Sequence, residues 1–184
     1  MKPLTLDGAR EGTVREYRTT DKATWGAGEW QDEPDKVQWI DDATDLDCLI
    51  VRGPSGALCG YVGVLPPHAW HGKHYNACTQ PEPCGEAYCE HSIGSCLDVH
   101  GGLTYARGCQ HSNDESRGIC HIPLNGRSDS AWWLGFDCAH YGDATPQSDA
   151  QRPEYSDDSA HYCSARYVIG EVRSLASQLQ AVRA

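Results

Sequence analysis

Ten cysteines stand in this 184-residue chain, and eight of them lie between Cys78 and Cys163, interleaved with histidines. Thiols at that density serve either as disulfides or as metal ligands. The densest set is Cys78, Cys84, Cys89, Cys96, Cys109 and Cys120, with His91, His111 and His121 close by in sequence. Zinc takes four such ligands in a tetrahedron, and two short loops brought together across a strand can supply them. Cys78, Cys84, Cys89, Cys109 and Cys120 are therefore the expected ligands of a structural zinc clamp. Five residues separate Cys78 from Cys84 and four separate Cys84 from Cys89, so the pattern is not a paired C-x-x-C ribbon. A catalytic zinc with an open position, and free core cysteine, are the alternatives. Cys48, Cys59, Cys138 and Cys163 lie among apolar neighbours or far from the cluster and read as small core residues.

A second constellation pairs Asp98-Val99-His100-Gly101-Gly102 with Asp137-Cys138-Ala139-His140-Tyr141-Gly142-Asp143. Both segments set a carboxylate and an imidazole beside glycine, where backbone approaches a ligand closely. If the strands that carry them are neighbours, His100, Asp137, His140 and Asp143 converge into a set that suits zinc, iron(II) or manganese. The same residues can run acid and base chemistry without a metal, His140 being oriented by Asp143 or Asp137. Asp98 is the expected supporting partner or general base. The competing reading is that these are satisfied turn residues. His68, His71 and His74 recur every three residues, but Pro66-Pro67 and Gly72 place them in a loop rather than on a metal-binding face.

These groups need a frame. Thr13 to Arg18 reads as a strand. Cys48 to Arg52 and Ala57 to Val64, joined by Gly53-Pro54-Ser55-Gly56, read as a β-hairpin. Leu97 to Ala106 and Ala131 to Cys138 are the next strands and are expected to form the centre of the sheet. Trp132-Trp133 puts one indole on each face, one for the core and one free to stack on a flat ligand. Residues 143 to 160 read as an exposed loop, and 68–96 and 107–123 as Cys/His-rich loops. Val168, Ile169, Val172, Leu175, Ala176, Leu179 and Val182 recur at helical spacing, which predicts a helix over 166–182 packed on the sheet and capped by Ser164. The expected fold is a single α+β domain over 1–184: a mainly antiparallel sheet, an amphipathic C-terminal helix and a Cys-rich, zinc-clamped middle, with 1–32 as a variable N-terminal part.

Fifteen basic residues against twenty-six acidic ones give a formal charge of −11. A phosphate backbone is repelled by such a field, and no basic patch overrides it, so direct nucleic-acid binding is not expected. A small molecule or a protein partner remains open, as does the oligomeric state. The first residues lead straight into polar sequence without an apolar run of signal-peptide length, and no stretch is long enough for a membrane span. A cytoplasmic setting with reduced thiols is the expectation.

Glu33-Pro34-Asp35-Lys36-Val37-Gln38-Trp39, Cys59 to Val64, Asp98 to Tyr105, Trp132 to His140 and the closing helix resemble a family of proteins from tailed phages and bacterial genomes. The resemblance covers most of the chain from Glu33 onward and brings no known activity, so no catalytic role is carried over from it. It implies a phage- or prophage-type accessory protein at work inside a bacterial host cell. Two functional expectations result. One is a metal-dependent hydrolase acting on a small or nucleotide-like substrate through His100, Asp137, His140 and Asp143, with Asp98 in support. The other is a non-enzymatic counter-defence protein that sequesters a nucleotide signal or a host defence protein.

Overall fold

The computed structural model describes residues 6–80, 90–110, 115–123, 126–146 and 160–182. Its frame is a six-stranded, wholly antiparallel sheet built from β1 (Arg15–Tyr17), β2 (Lys36–Ile40), β3 (Asp47–Arg52), β4 (Leu58–Val64), β5 (Tyr105–Gly108) and β6 (Trp132–Asp137). The order across the sheet is β1-β2-β3-β4-β6-β5. Two short strands, β7 (Asp143–Ala144) and β8 (His161–Tyr162), pair in parallel outside it, and one helix, α1 (Ala165–Gln180), follows. This is the expected α+β architecture. No helix among the described residues is long and apolar enough to cross a membrane.

The period-2 alternation of the strands sends their side chains to two different cores. Val37, Trp39, Cys48, Ile50, Val62, Leu134 and Phe136 face α1 and meet Val168, Val172, Leu175, Ala176 and Leu179. Each fully buried aliphatic or aromatic side chain there contributes about 1.5–3 kcal/mol, which is what holds a helix of this length in place. Ser164 caps it as expected, its side chain accepting from the Tyr167 amide. The opposite face carries Leu49, Val51, Tyr61 and Trp133, with Cys109 and Ile119 packed against them. The tryptophan pair divides as the alternation requires: Trp133 is fully buried on this second face, while half-buried Trp132 packs against the helix-side core and donates its indole N–H to the Lys73 carbonyl.

Three sequence expectations change. Strand β2 is absent from the sequence reading because two of its five residues, Lys36 and Gln38, are polar, yet both are buried. Lys36 is 1% exposed and donates to the carbonyls of Glu115, Gly118 and Cys120, while Gln38 exchanges two hydrogen bonds with Ile122. The polar face of β2 thus binds the 115–122 backbone instead of water. The strand expected over Leu97 to Ala106 shrinks to β5, because Gly101 and Gly102 have φ of +64° and +84° and turn the chain there. β5 is consequently an edge strand, and the centre of the sheet is the β3–β4 hairpin. Of the loop expected at 143–160, the described part includes β7, held to β8.

Candidate functional site

The sequence pattern around His100 and His140 converges at the end of the sheet where α1 begins. His100 sits in the turn before β5 and is clamped by the helix. Its backbone N–H donates to Glu171, its Nδ1 lies 3.1 Å from the Tyr167 hydroxyl, and its Nε2 lies 3.0 Å from Asp143 Oδ2. Asp143 opens β7 and accepts a hydrogen bond from the His140 amide at 2.8 Å, with His140 Nδ1 3.5 Å away. A β-carbon on Gly101 would collide with the His140 ring, so the glycine is what lets the two histidine-bearing turns close on each other.

Two cysteines read from the sequence as core filler complete the cluster. Cys138 follows β6, and Cys163 lies between β8 and the helix cap. The Cys163 sulfur is 3.9 Å from His100 Nε2 and 3.8 Å from Asp143 Oδ1. Ligand atoms of His100, Cys138 and Cys163 all lie within 4.8 Å of one another, as do those of His100, His140 and Asp143. Cys138 and Cys163 are 1% and 8% exposed, so the sulfurs form the inner wall. His140 is half-exposed on the outer side, next to the fully exposed Tyr141. Cys138 lies within the Asp137–Asp143 motif and Cys163 just before the helix cap, but nothing in their spacing signals that the two meet.

The electrostatics favour charge separation inside the cluster. The hydrogen bond from Cys138 holds the Cys163 thiol below its ordinary range, aided by the His100 charge and opposed by burial. The same bond, together with burial, pushes Cys138 up. Burial on its own would lower the His100 pKa, but Asp143 and the charges of Cys163 and Glu171 outweigh it and raise it. Burial likewise opposes ionisation of Asp143, and the bonds from His100 and the His140 amide overcome it and lower its pKa. A Cys–His–Asp relay needs thiol and carboxylate on opposite imidazole nitrogens. Here both face Nε2, so sulfur, nitrogen and carboxylate oxygen point at one common locus, as ligands around an ion do.

The cluster is held from below by a buried ionic network. The Arg52 side chain, 1% exposed, bonds Glu33, Asp35 and the Tyr162 hydroxyl. Glu33 accepts from the Tyr162 hydroxyl at 2.6 Å and from the Ala165 amide at 2.6 Å. Residues on both sides of Cys163 are therefore tied to the start of β2 and the end of β3.

The remaining expected site residues fall elsewhere. Asp137 is 3.9 Å from His140 Nδ1, but its carboxylate accepts from the Thr104 hydroxyl and the Ala139 amide, the role of a turn residue. Asp98 is exposed, and its backbone N–H and carbonyl pair with Gln178 on α1. Cys109 and Cys120, expected as zinc thiolates, are joined in a disulfide beside His121 and Asp129. Packing of Cys109 and Ile119 on the second sheet face brings the two sulfurs together, where a cytoplasmic setting had suggested reduced thiols. Cys78 lies in a β-bridge with Ser92 and in none of the converging ligand groups among the described residues. Cys84, Cys89 and His111 lie outside the described residues. His68 and His71 are each bound to a backbone carbonyl, of Leu179 and Ser130 respectively.

Clusters of Cys, His and Asp able to hold a metal ion are thus present in the fold. No protein-family model, no curated protein and no solved structure matches the chain.

Proposed function

We propose that the chain is a metal-dependent hydrolase whose ion, with zinc as the best fit, is held by His100, Cys138 and Cys163 and has an open side towards Asp143 and His140. The observation that carries this reading is the convergence of two unbridged, buried cysteines with His100 Nε2 and a carboxylate at one locus. Two cysteines and one histidine are a known catalytic zinc set, and thiolate donors select zinc over harder ions. A metal held there would supply Lewis acidity and make a bound water acidic near neutral pH.

The protein's own groups have separable tasks. Glu171 and Tyr167 orient His100 from the helix. Asp143, which the His100 and His140 amide contacts hold ionised, would be released by His100 when Nε2 takes the ion and would then be the acceptor for a proton from a water on the open side. His140, half-exposed at the rim, is placed to pass that proton to solvent or to a leaving group. Exposed Tyr141 and Tyr167 border the mouth and offer aromatic faces to a small planar or nucleotide-like substrate. The phage- or prophage-type setting implied by the sequence resemblance belongs to this same proposal.

The test is a panel of phosphoesters, nucleotides and amides offered to wild type and to Asp143→Asn, with bound metal measured by mass spectrometry. The proposal expects at least one metal-dependent turnover that Asp143→Asn lowers by about 10²-fold or more, in the range of a lost general base. A compound that raises the melting temperature but emerges intact, with no turnover across the panel, would instead make this a binding protein that sequesters its ligand.

A further inference from the structure

A second cluster lies on the opposite face of the sheet, independent of the site above. Its sulfurs are Cys109, at the end of β5, and Cys120, in the loop that Lys36 binds, and the structure joins them in a disulfide. Asp129 Oδ1 faces both, 3.6 Å from each sulfur. His121 is 6% exposed, and among the described residues neither of its ring nitrogens makes a hydrogen bond, the Asp47 carboxylate standing 3.8 Å from Nε2. A buried imidazole with both nitrogens unpaired is costly, and such a group calls for a missing partner. One ligand atom from each of Cys109, Cys120, His121 and Asp129 lies within 4.8 Å of all the others. A cavity of about 110 Å³ lined by Cys120, His121, Asp129 and Lys36 adjoins them, and the exposed Asp129 forms its outer edge.

We propose that Cys109, Cys120, His121 and Asp129 form a redox-gated site for a thiophilic divalent cation of the zinc class, available only when the Cys109–Cys120 disulfide is reduced. Two sulfurs, one imidazole and one carboxylate are a full tetrahedral set with no position left for water, which makes the site structural. Two thiolates on one zinc stand about 3.8 Å apart, so the disulfide and the ion exclude each other. The conversion balances with a phosphine as reductant. It attacks one sulfur, takes the oxygen of a water to become the phosphine oxide, and leaves two thiols; the cation then displaces both thiol protons to solvent. Either cross-link ties the edge strand β5 to the loop that closes the second core, so the fold of this face persists while its metal content changes.

The experiment is cobalt(II) titration of the full chain, with and without a phosphine reductant, followed by thiolate-to-cobalt charge transfer and the visible bands of tetrahedral cobalt. The disulfide in the unreduced sample is first verified by mass spectrometry. Reduction is expected to add one equivalent with two-thiolate intensity. Cys109→Ser plus Cys120→Ser abolishes that added equivalent, and His121→Ala weakens it beyond the roughly 10–100-fold that loss of a supporting partner causes. Asp129→Asn, a surface change that leaves the core untouched, weakens it as well. Three results each overturn the proposal: no added equivalent in a reduced chain whose circular dichroism matches the oxidised form; an added equivalent indifferent to His121→Ala and Asp129→Asn; or a reduced chain that unfolds and is not restored by zinc.

Discussion

The two faces of the sheet carry clusters of the same composition in different states. On one face Cys109 and Cys120 are bonded to each other beside a buried His121 whose ring nitrogens make no hydrogen bond among the described residues. At the start of α1, Cys138 and Cys163 remain unbridged, and His100 is bonded through both nitrogens. The difference lies in what surrounds each pair. The first is sealed under a loop whose carbonyls are bound by Lys36, so its ligands can close completely and serve the fold. The second is fixed from beneath by Arg52 and Glu33 and is open outward at His140, which is how a reactive centre is built. Two cysteines, one histidine and one aspartate therefore do not define a role; access to the fourth position does.

The comparison breaks most severely at the anchor of the open cluster. Arg52→Ala leaves Glu33 and Asp35 buried without their guanidinium and is expected to cost about 3–5 kcal/mol, read as a fall in denaturation midpoint, with metal lost from the Cys163 cluster. The matching change on the other face, Lys36→Met, strands three carbonyls and is expected to cost about 2–4 kcal/mol. Hydrogen exchange should then rise over residues 115–122 while metal at the Cys163 cluster stays in place. If Lys36→Met also empties that cluster, the two faces are not independent.

A finer probe is Gly101→Ala, which meets both a φ of +64° and the His140 ring. It is expected to cost about 1–3 kcal/mol and to displace His140 from the rim, visible as loss of turnover with bound metal retained in a chain that still melts cooperatively. The smallest effect is a pH dependence. Burial opposes ionisation of Asp35, but the Thr19 and Thr20 amides and Lys22 overcome it and hold its pKa below the ordinary 3.8. A carboxylate whose folded pKa is depressed adds stability that is fully present above the unfolded value and is lost as the pH falls through the folded one. Acid unfolding below about pH 4 should therefore be shallower in Asp35→Asn than in wild type, even though the variant is less stable at neutral pH.

Much of this was legible in the residues. The spacing from Val168 to Leu179 and the cap at Ser164 appear in the structure within two residues of the expected ends, because a single apolar stripe has only one way to face a sheet. The Gly-Pro-Ser-Gly hairpin and the meeting of the His100 and His140 segments are likewise local in origin, set by turn chemistry and by the pairing of β5 with β6. Strand β2 was not legible, since Lys36 and Gln38 are recognisable as buried only once the loop carbonyls they bind are in place. Nor were Cys138 and Cys163, which lie 25 positions apart and meet through the β7–β8 pairing, a contact that no spacing rule encodes. Of the thiol cluster, Cys109 and Cys120 do converge, with His121 and Asp129, while Cys84 and Cys89 lie outside the described residues.

The central claim is that the open cluster holds a metal through two sulfurs and the His100 imidazole. X-ray absorption at the edge of the bound metal, on the 184-residue chain with its Cys109–Cys120 disulfide verified, tests it most directly. The account predicts two sulfur ligands at about 2.3 Å and the remainder nitrogen or oxygen at about 2.0–2.1 Å, with one sulfur lost in Cys163→Ser. A protein that takes up no metal in this state, or a metal whose sulfur shell is unchanged by Cys163→Ser, would contradict it.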